Sequence, residues 1–107
     1  MDDLQIQPRE LKQRLDRGDN FLLVDVREPW EHEMCRIEGA KPIPMSALAA
    51  NLALLEQAEE VVLYCHHGNR SLDAATWLRA QGVERAKSLI GGIERWAKEI
   101  DPRVPRY

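Results

Sequence analysis

Apolar residues along the chain follow two alternating patterns. Phe21-Leu22-Leu23-Val24-Asp25-Val26 and Val61-Val62-Leu63-Tyr64 are short, nearly continuous apolar runs between polar breakers. Such runs read as strands covered on both faces, as in parallel sheets. Between them the spacing becomes helical. Pro8 opens a helix over 9–17, where Leu11 and Leu15 form an i, i+4 pair before Gly18. Ile93, Trp96, Ala97 and Ile100 form one face of a helix over 93–100. Further helices are expected over 28–36, with Pro29 and acidic residues in its first turn, over 47–56, with Ser46 as its cap, and over 72–81, ended by Gly82. Residues 4–6 and 86–90 read as short strands. Pro42 and Pro44 hold 40–44 extended. Gly91-Gly92 reads as a turn, and 101–107, with two prolines, as irregular.

Strands joined through helices imply an α/β domain with a mainly parallel five-stranded sheet, right-handed crossovers and helices on both faces. At 107 residues one domain over 1–107 is expected. Ligands of such sheets bind beyond the carboxyl ends of the strands, which is where Cys65 follows the 61–64 run.

Composition narrows the field. An apolar fraction of 44% and a charged fraction of 31% fit an ordinary globular protein. A net charge of −3 gives no basic footprint for nucleic acid. No apolar run approaches the roughly 20 residues that span a bilayer, and the segment from Met1 to Gln5 lacks the pattern of a signal peptide. A cytoplasmic protein without a membrane partner is expected, as a monomer or weak dimer. Cys35 and Cys65 are far apart, and with His32, His66 and His67 they make a poor metal site; neither a structural disulfide nor a metal is expected.

The segment Cys65-His66-His67-Gly68-Asn69-Arg70-Ser71 joins a strand to a helix. Gly68 can adopt positive φ, and Asn69 tolerates it. Amides of such a loop converge on an anion-binding nest at a helix N-terminus, with Arg70 as an added cation. A thiol in this setting ionises more readily than free cysteine, whose pKa is about 8.5. The nest would also hold the terminal sulfur of a persulfide. Against this stands an ordinary turn with a buried cysteine, and the joint presence of Cys65, Gly68 and Arg70 favours chemistry.

Cys65-x-x-Gly68-x-Arg70-Ser71 resembles the active-site loop of single-domain rhodanese-like sulfurtransferases. Asp25-Val26-Arg27-Glu28, Ile37-Glu38-Gly39-Ala40 leading to Ile43-Pro44, and Gly91-Gly92-Ile93 followed by Trp96 are similar to the family in order along the chain. The resemblance implies a catalytic Cys65 that takes sulfur from a small anionic donor such as thiosulfate and passes it to cyanide or a thiol, with no cofactor. It implies donor binding by His66, His67, Gly68, Asn69, Arg70 and Ser71, and a bracing pair, Asp25 and Arg27, for which a structural salt bridge is an equal reading. Residues 101–107 are similar to the ends of rhodanese domains fused to enzymes that adenylate sulfur carriers, which points to a sulfur-carrier partner.

Two rivals remain open. Thiolate phosphatases and arsenate reductases use Cys-x5-Arg, whereas Arg70 gives Cys-x4-Arg and a smaller nest. A non-catalytic binding module on the same fold is the other. His66 and His67 read as loop residues tuning charge, Cys35 as core, Trp30, Trp77 and Trp96 as helix-to-sheet packing, and Glu56 to Glu60 as a solvated loop.

Overall fold

The structure, a computed structural model, describes residues 3–107, so Met1 and Asp2 of the leader reading lie outside the described residues. Five strands, β1 (Gln5–Ile6), β2 (Leu22–Asp25), β3 (Lys41–Pro42), β4 (Val61–Tyr64) and β5 (Ala86–Leu89), form one parallel sheet in the order β1-β5-β4-β2-β3. The central strand β4 is buried along its whole length, which is why its sequence carries no polar alternation. Val61, Leu63 and Cys65 face one apolar core, with Leu55, Ala74, Ala75 and Leu78. Val62 and Tyr64 face the other, with Leu11, Ile93 and Trp96. The two-residue period of the strand thus sorts the helices into two layers. On the first side lie α3 (Leu52–Gln57) and α4 (Asn69–Ala80); on the second lie α1 (Pro8–Arg17) and α5 (Gly92–Glu99). A short α2 (Pro29–Met34) follows β2. Among the described residues no helix is long and apolar enough to cross a membrane.

Several expectations need correction. Ser46 caps nothing: residues 45–51 form two 3₁₀ turns, Met45–Ala47 and Ala49–Asn51, before α3 begins at Leu52. Asn51 Nδ2 donates to the Ala47 carbonyl at 2.8 Å, a local bond that competes with continuous α-helix. Trp96 is core, but Trp30 is 58% exposed and Trp77 37% exposed, so neither packs a helix onto the sheet. Glu60 is no solvated loop residue. It is buried with Arg14 and Lys87, and chiefly the Arg14 guanidinium holds its carboxyl down at about 2.

Candidate active site

Cys65 leaves β4 with its side chain in the α3–α4 core, 1% exposed. At Gly68 the chain turns with φ of 104° and becomes the N-cap of α4. That turn aims the Gly68 N–H back at Cys65 Sγ, 3.1 Å away, and the first turn of α4 aims the Ser71 N–H at the same sulfur, 3.3 Å away. Ser71 Oγ lies 3.5 Å from the sulfur and 2.8 Å from Ser88 Oγ on β5. Two backbone donors at the start of a helix therefore converge on one sulfur, an arrangement that favours negative charge there.

The loop is clasped from its far side by α5. Ile93 N–H donates to the Cys65 carbonyl at 2.9 Å and Glu94 N–H to the His66 carbonyl at 3.0 Å. This approach requires glycine at position 92: its φ is +61°, and a Cβ there would overlap both carbonyl oxygens.

A chain of charged groups borders the loop. Arg70 makes a two-pronged bond to Glu31, with Nη1 to Oε1 at 2.9 Å and Nη2 to Oε2 at 3.1 Å. Glu31 also accepts from the Glu28 N–H at 2.9 Å and from the Tyr107 hydroxyl at 2.7 Å. Burial alone would raise the Glu31 carboxyl, but Arg70, Tyr107 and the Glu28 amide outweigh it and hold it down at about 2. Tyr107 Oη in turn accepts from Arg27 Nη1 at 2.7 Å. Burial and the Glu31 charge push the Tyr107 phenol up to about 12, against the opposing pull of Arg27. Arg27 and Asp25 form a fully buried pair, Nη2 to Oδ2 at 2.7 Å and Nε to Oδ1 at 2.9 Å. Asp25 also receives His32 Nδ1 at 2.8 Å and the Tyr64 hydroxyl at 3.2 Å. Burial opposes its charge, yet Arg27 and His32 keep its carboxyl below the usual range.

The His66 ring lies between two others, 3.9 Å and 7° from Tyr107 and 4.0 Å and 24° from His67. Burial, and secondarily His67, lowers its pKa, so the neutral ring is favoured. Cys35 is buried and free, with Arg27 Nη1 3.9 Å from its sulfur, in keeping with its reading as core. A groove of about 600 Å³ runs between residues 33–40 and 101–105, and none of residues 65–71 lines it.

Comparison with known proteins settles the family. The model of the rhodanese-like domain matches residues 7–99. The chain belongs to the rhodanese-like family. A sulfurtransferase of Allochromatium vinosum is 36% identical over 94% of this chain and 94% of its own length. The probable adenylyltransferase/sulfurtransferase MoeZ of Mycobacterium tuberculosis is 41% identical over 95% of this chain, which spans about a quarter (26%) of the length of that relative. In structure, the human single domain sulfurtransferase TSTD1 superposes with a TM-score of 0.77 at 29% identity, covering 90% of this chain and 96% of that one. The parallel five-stranded sheet and the α/β class expected from the pattern are those of the rhodanese-like fold.

Within that fold the residues singled out in the sequence separate. Cys65, Gly68 and Ser71 meet at the sulfur, and the rings of His66 and His67 in the same loop stack on each other. Arg70 is half-buried at the rim and is not a lone cation, because Glu31 neutralises it. Asn69 is exposed in the first turn of α4 and does not adopt positive φ; Gly68 alone in the loop does so. Asp25 and Arg27 lie buried behind the rim and form the salt bridge. Glu31, His32, Tyr64, Ser88 and Tyr107 complete the surroundings and were not legible as site residues. Glu31 looked like a first-turn helix acid, and Tyr107 belonged to a segment with no periodicity.

Proposed function

We propose that this chain transfers sulfane sulfur through a persulfide on Cys65, from a small anionic donor such as thiosulfate to a thiol or cyanide. The observation that carries the reading is the convergence of the Gly68 and Ser71 N–H groups on Cys65 Sγ at 3.1 and 3.3 Å. The Cys65 thiolate attacks the sulfane sulfur, a new S–S bond forms, the donor's S–S bond breaks, and sulfite leaves with the electron pair. An acceptor thiolate then attacks the terminal sulfur and returns the Cys65 thiolate. No general base is needed once the thiol is ionised, which leaves His66 and His67 as shapers of the pocket. Arg70 faces the incoming anion with the N–H groups that Glu31 does not occupy. Adenylyltransferase/sulfurtransferases among the relatives favour a sulfur-carrier protein as a physiological acceptor. Two free cysteines suit the reducing cytoplasm in which such a relay would run.

The test is incubation with thiosulfate followed by intact mass measurement. The expected result is a gain of one sulfur atom, removed by cyanide or dithiothreitol, absent from Cys65→Ser and retained by Cys35→Ser. A gain that survives in Cys65→Ser, or no gain in the unmodified protein, would reject the proposal.

A further inference from the structure

Residues 101–107 return from α5 toward the Cys65 loop. Val104 N–H bonds the Asp101 carbonyl at 3.0 Å, and Val104 and Tyr107 pack against the core that holds Leu11, Tyr64 and Trp96. Tyr107 then touches three separate parts of the site. Its ring covers His66 of the loop, Trp30 of α2 meets it edge-on at 6.2 Å and 75°, and its hydroxyl joins Arg27 to Glu31. That hydroxyl bridges two ion pairs, the buried Asp25–Arg27 pair and the rim pair Glu31–Arg70.

The acceptor capacity of Glu31 explains why the bridge matters. A carboxylate has about four lone-pair positions. At Glu31 the Glu28 N–H and Arg70 Nη1 occupy Oε1, while Arg70 Nη2 and the Tyr107 hydroxyl occupy Oε2. With the residue only 4% exposed, water is a poor substitute for a lost donor. The backbone bond on one oxygen and the phenol on the other fix the plane of the carboxylate. The plane of the carboxylate fixes the Arg70 fork, because a two-pronged pair is planar. Two of the five guanidinium N–H groups are spent on Glu31, and that plane sets the direction of the remaining three.

We infer that Tyr107 is a positioning residue for donor recognition, acting through Glu31 to hold Arg70 in the orientation that meets an anionic sulfur donor. The inference rests on the proposed thiosulfate reading for its kinetic consequence, but not for its structural one. It separates the two parts of the side chain: the ring seats His66, and the hydroxyl alignes the rim pair. Tyr107→Phe removes the second while keeping the first.

The experiment is a double-mutant cycle with Tyr107→Phe and Arg70→Ala, read by steady-state kinetics on thiosulfate and by nitrogen-15 NMR of the Arg70 guanidinium. One lost hydrogen bond at the rim corresponds to a rise in KM of about 3- to 10-fold, with kcat within about twofold. In the Arg70→Ala background the same substitution is expected to change KM less than about twofold, since the group it acts through has gone. Exchange of the Arg70 guanidinium protons with solvent is expected to speed up in Tyr107→Phe. An equal KM change with and without Arg70 would make Tyr107 a general structural residue and overturn the inference, as would unchanged KM. Should the unmodified protein fail to turn over thiosulfate, the proposed function fails on its own. The exchange measurement then decides Tyr107 alone: faster exchange supports the role and an unchanged rate overturns it.

Discussion

Gly92→Ala tests the clasp between α5 and the Cys65 loop. Gly92 has φ of +61°, a conformation that costs an alanine about 1 kcal/mol. The added Cβ would also stand 2.5 Å from the Cys65 carbonyl oxygen and overlap that of His66. Both are backbone atoms, so relief requires the loop and α5 to separate. Separation breaks the bonds from Ile93 N–H to the Cys65 carbonyl and from Glu94 N–H to the His66 carbonyl. At about 1 kcal/mol net for each, the total loss comes to about 3 kcal/mol. Gly18→Ala is the matched control: its φ is +70° and nothing lies within 4 Å of the new methyl, so it should lose only the conformational part, about 1 kcal/mol. Urea denaturation of the two variants therefore isolates the close approach as a difference of about 2 kcal/mol. Sulfur transfer should fall further than the unfolded fraction explains, because moving the Cys65 carbonyl withdraws the sulfur from the Gly68 and Ser71 amides. Two variants of equal stability, with Gly92→Ala as active as the unmodified protein, would show that the loop absorbs the methyl and that the clasp does not set the site.

Three further outcomes follow from the same geometry. Asp25→Asn leaves Arg27 buried beside a neutral partner and should cost about 3 to 5 kcal/mol, measured by the same denaturation; a loss below about 1 kcal/mol would refute the importance of the pair. Glu31 and Glu60 are both held down from 4.5 to about 2, so the stability they contribute is complete above their unfolded pKa and is lost as pH falls through the folded one. Between pH 7 and 3 each should lose about 2 kcal/mol, and Glu31→Gln should flatten that acid slope; an unchanged slope would reject the assignment. Aryl phosphates should not be hydrolysed, since Cys-x4-Arg is one residue short of the thiolate-phosphatase spacing and its two amides focus on a single sulfur. Turnover that depends on Cys65 would refute this.

Much of the fold was legible because apolar burial leaves a period in the sequence. The runs 21–26 and 61–64 and the face of Ile93, Trp96 and Ala97 all fall where the pattern places them. The failures share a physical cause: the partner lies far away in the chain. Glu60 reads as solvated until Arg14 on α1 and Lys87 on β5 close over it. Arg70 reads as a free cation until α2 brings Glu31 to it, 39 positions earlier in the chain. Trp30 and Trp77 look like core by residue type, yet they sit on outward faces of their helices. Tyr107 follows two prolines in a segment without periodicity, and only the return of that segment across α2 reveals its contacts.

Strand register explains how these distant residues come to share one edge of the sheet. Asp25 stands opposite Tyr64, and Leu63 opposite Ser88, at the carboxyl ends of β2, β4 and β5. Because successive residues of a strand point to opposite faces, Tyr64 and Cys65 diverge although they are neighbours in sequence. Tyr64 joins Asp25 and Arg27 on the face covered by α1 and α5, while Cys65 joins Ser71 and Ser88 on the face covered by α4. The ionic network and the Cys65 sulfur are therefore on opposite sides of β4. Contact between them is made around the edge, by Tyr107 against His66 and by Glu31 with Arg70. If Cys65 carries sulfur as proposed, the chemistry depends on two things that can be varied independently. Backbone amides meet the sulfur, and a side-chain rim, braced from the other face, meets the donor.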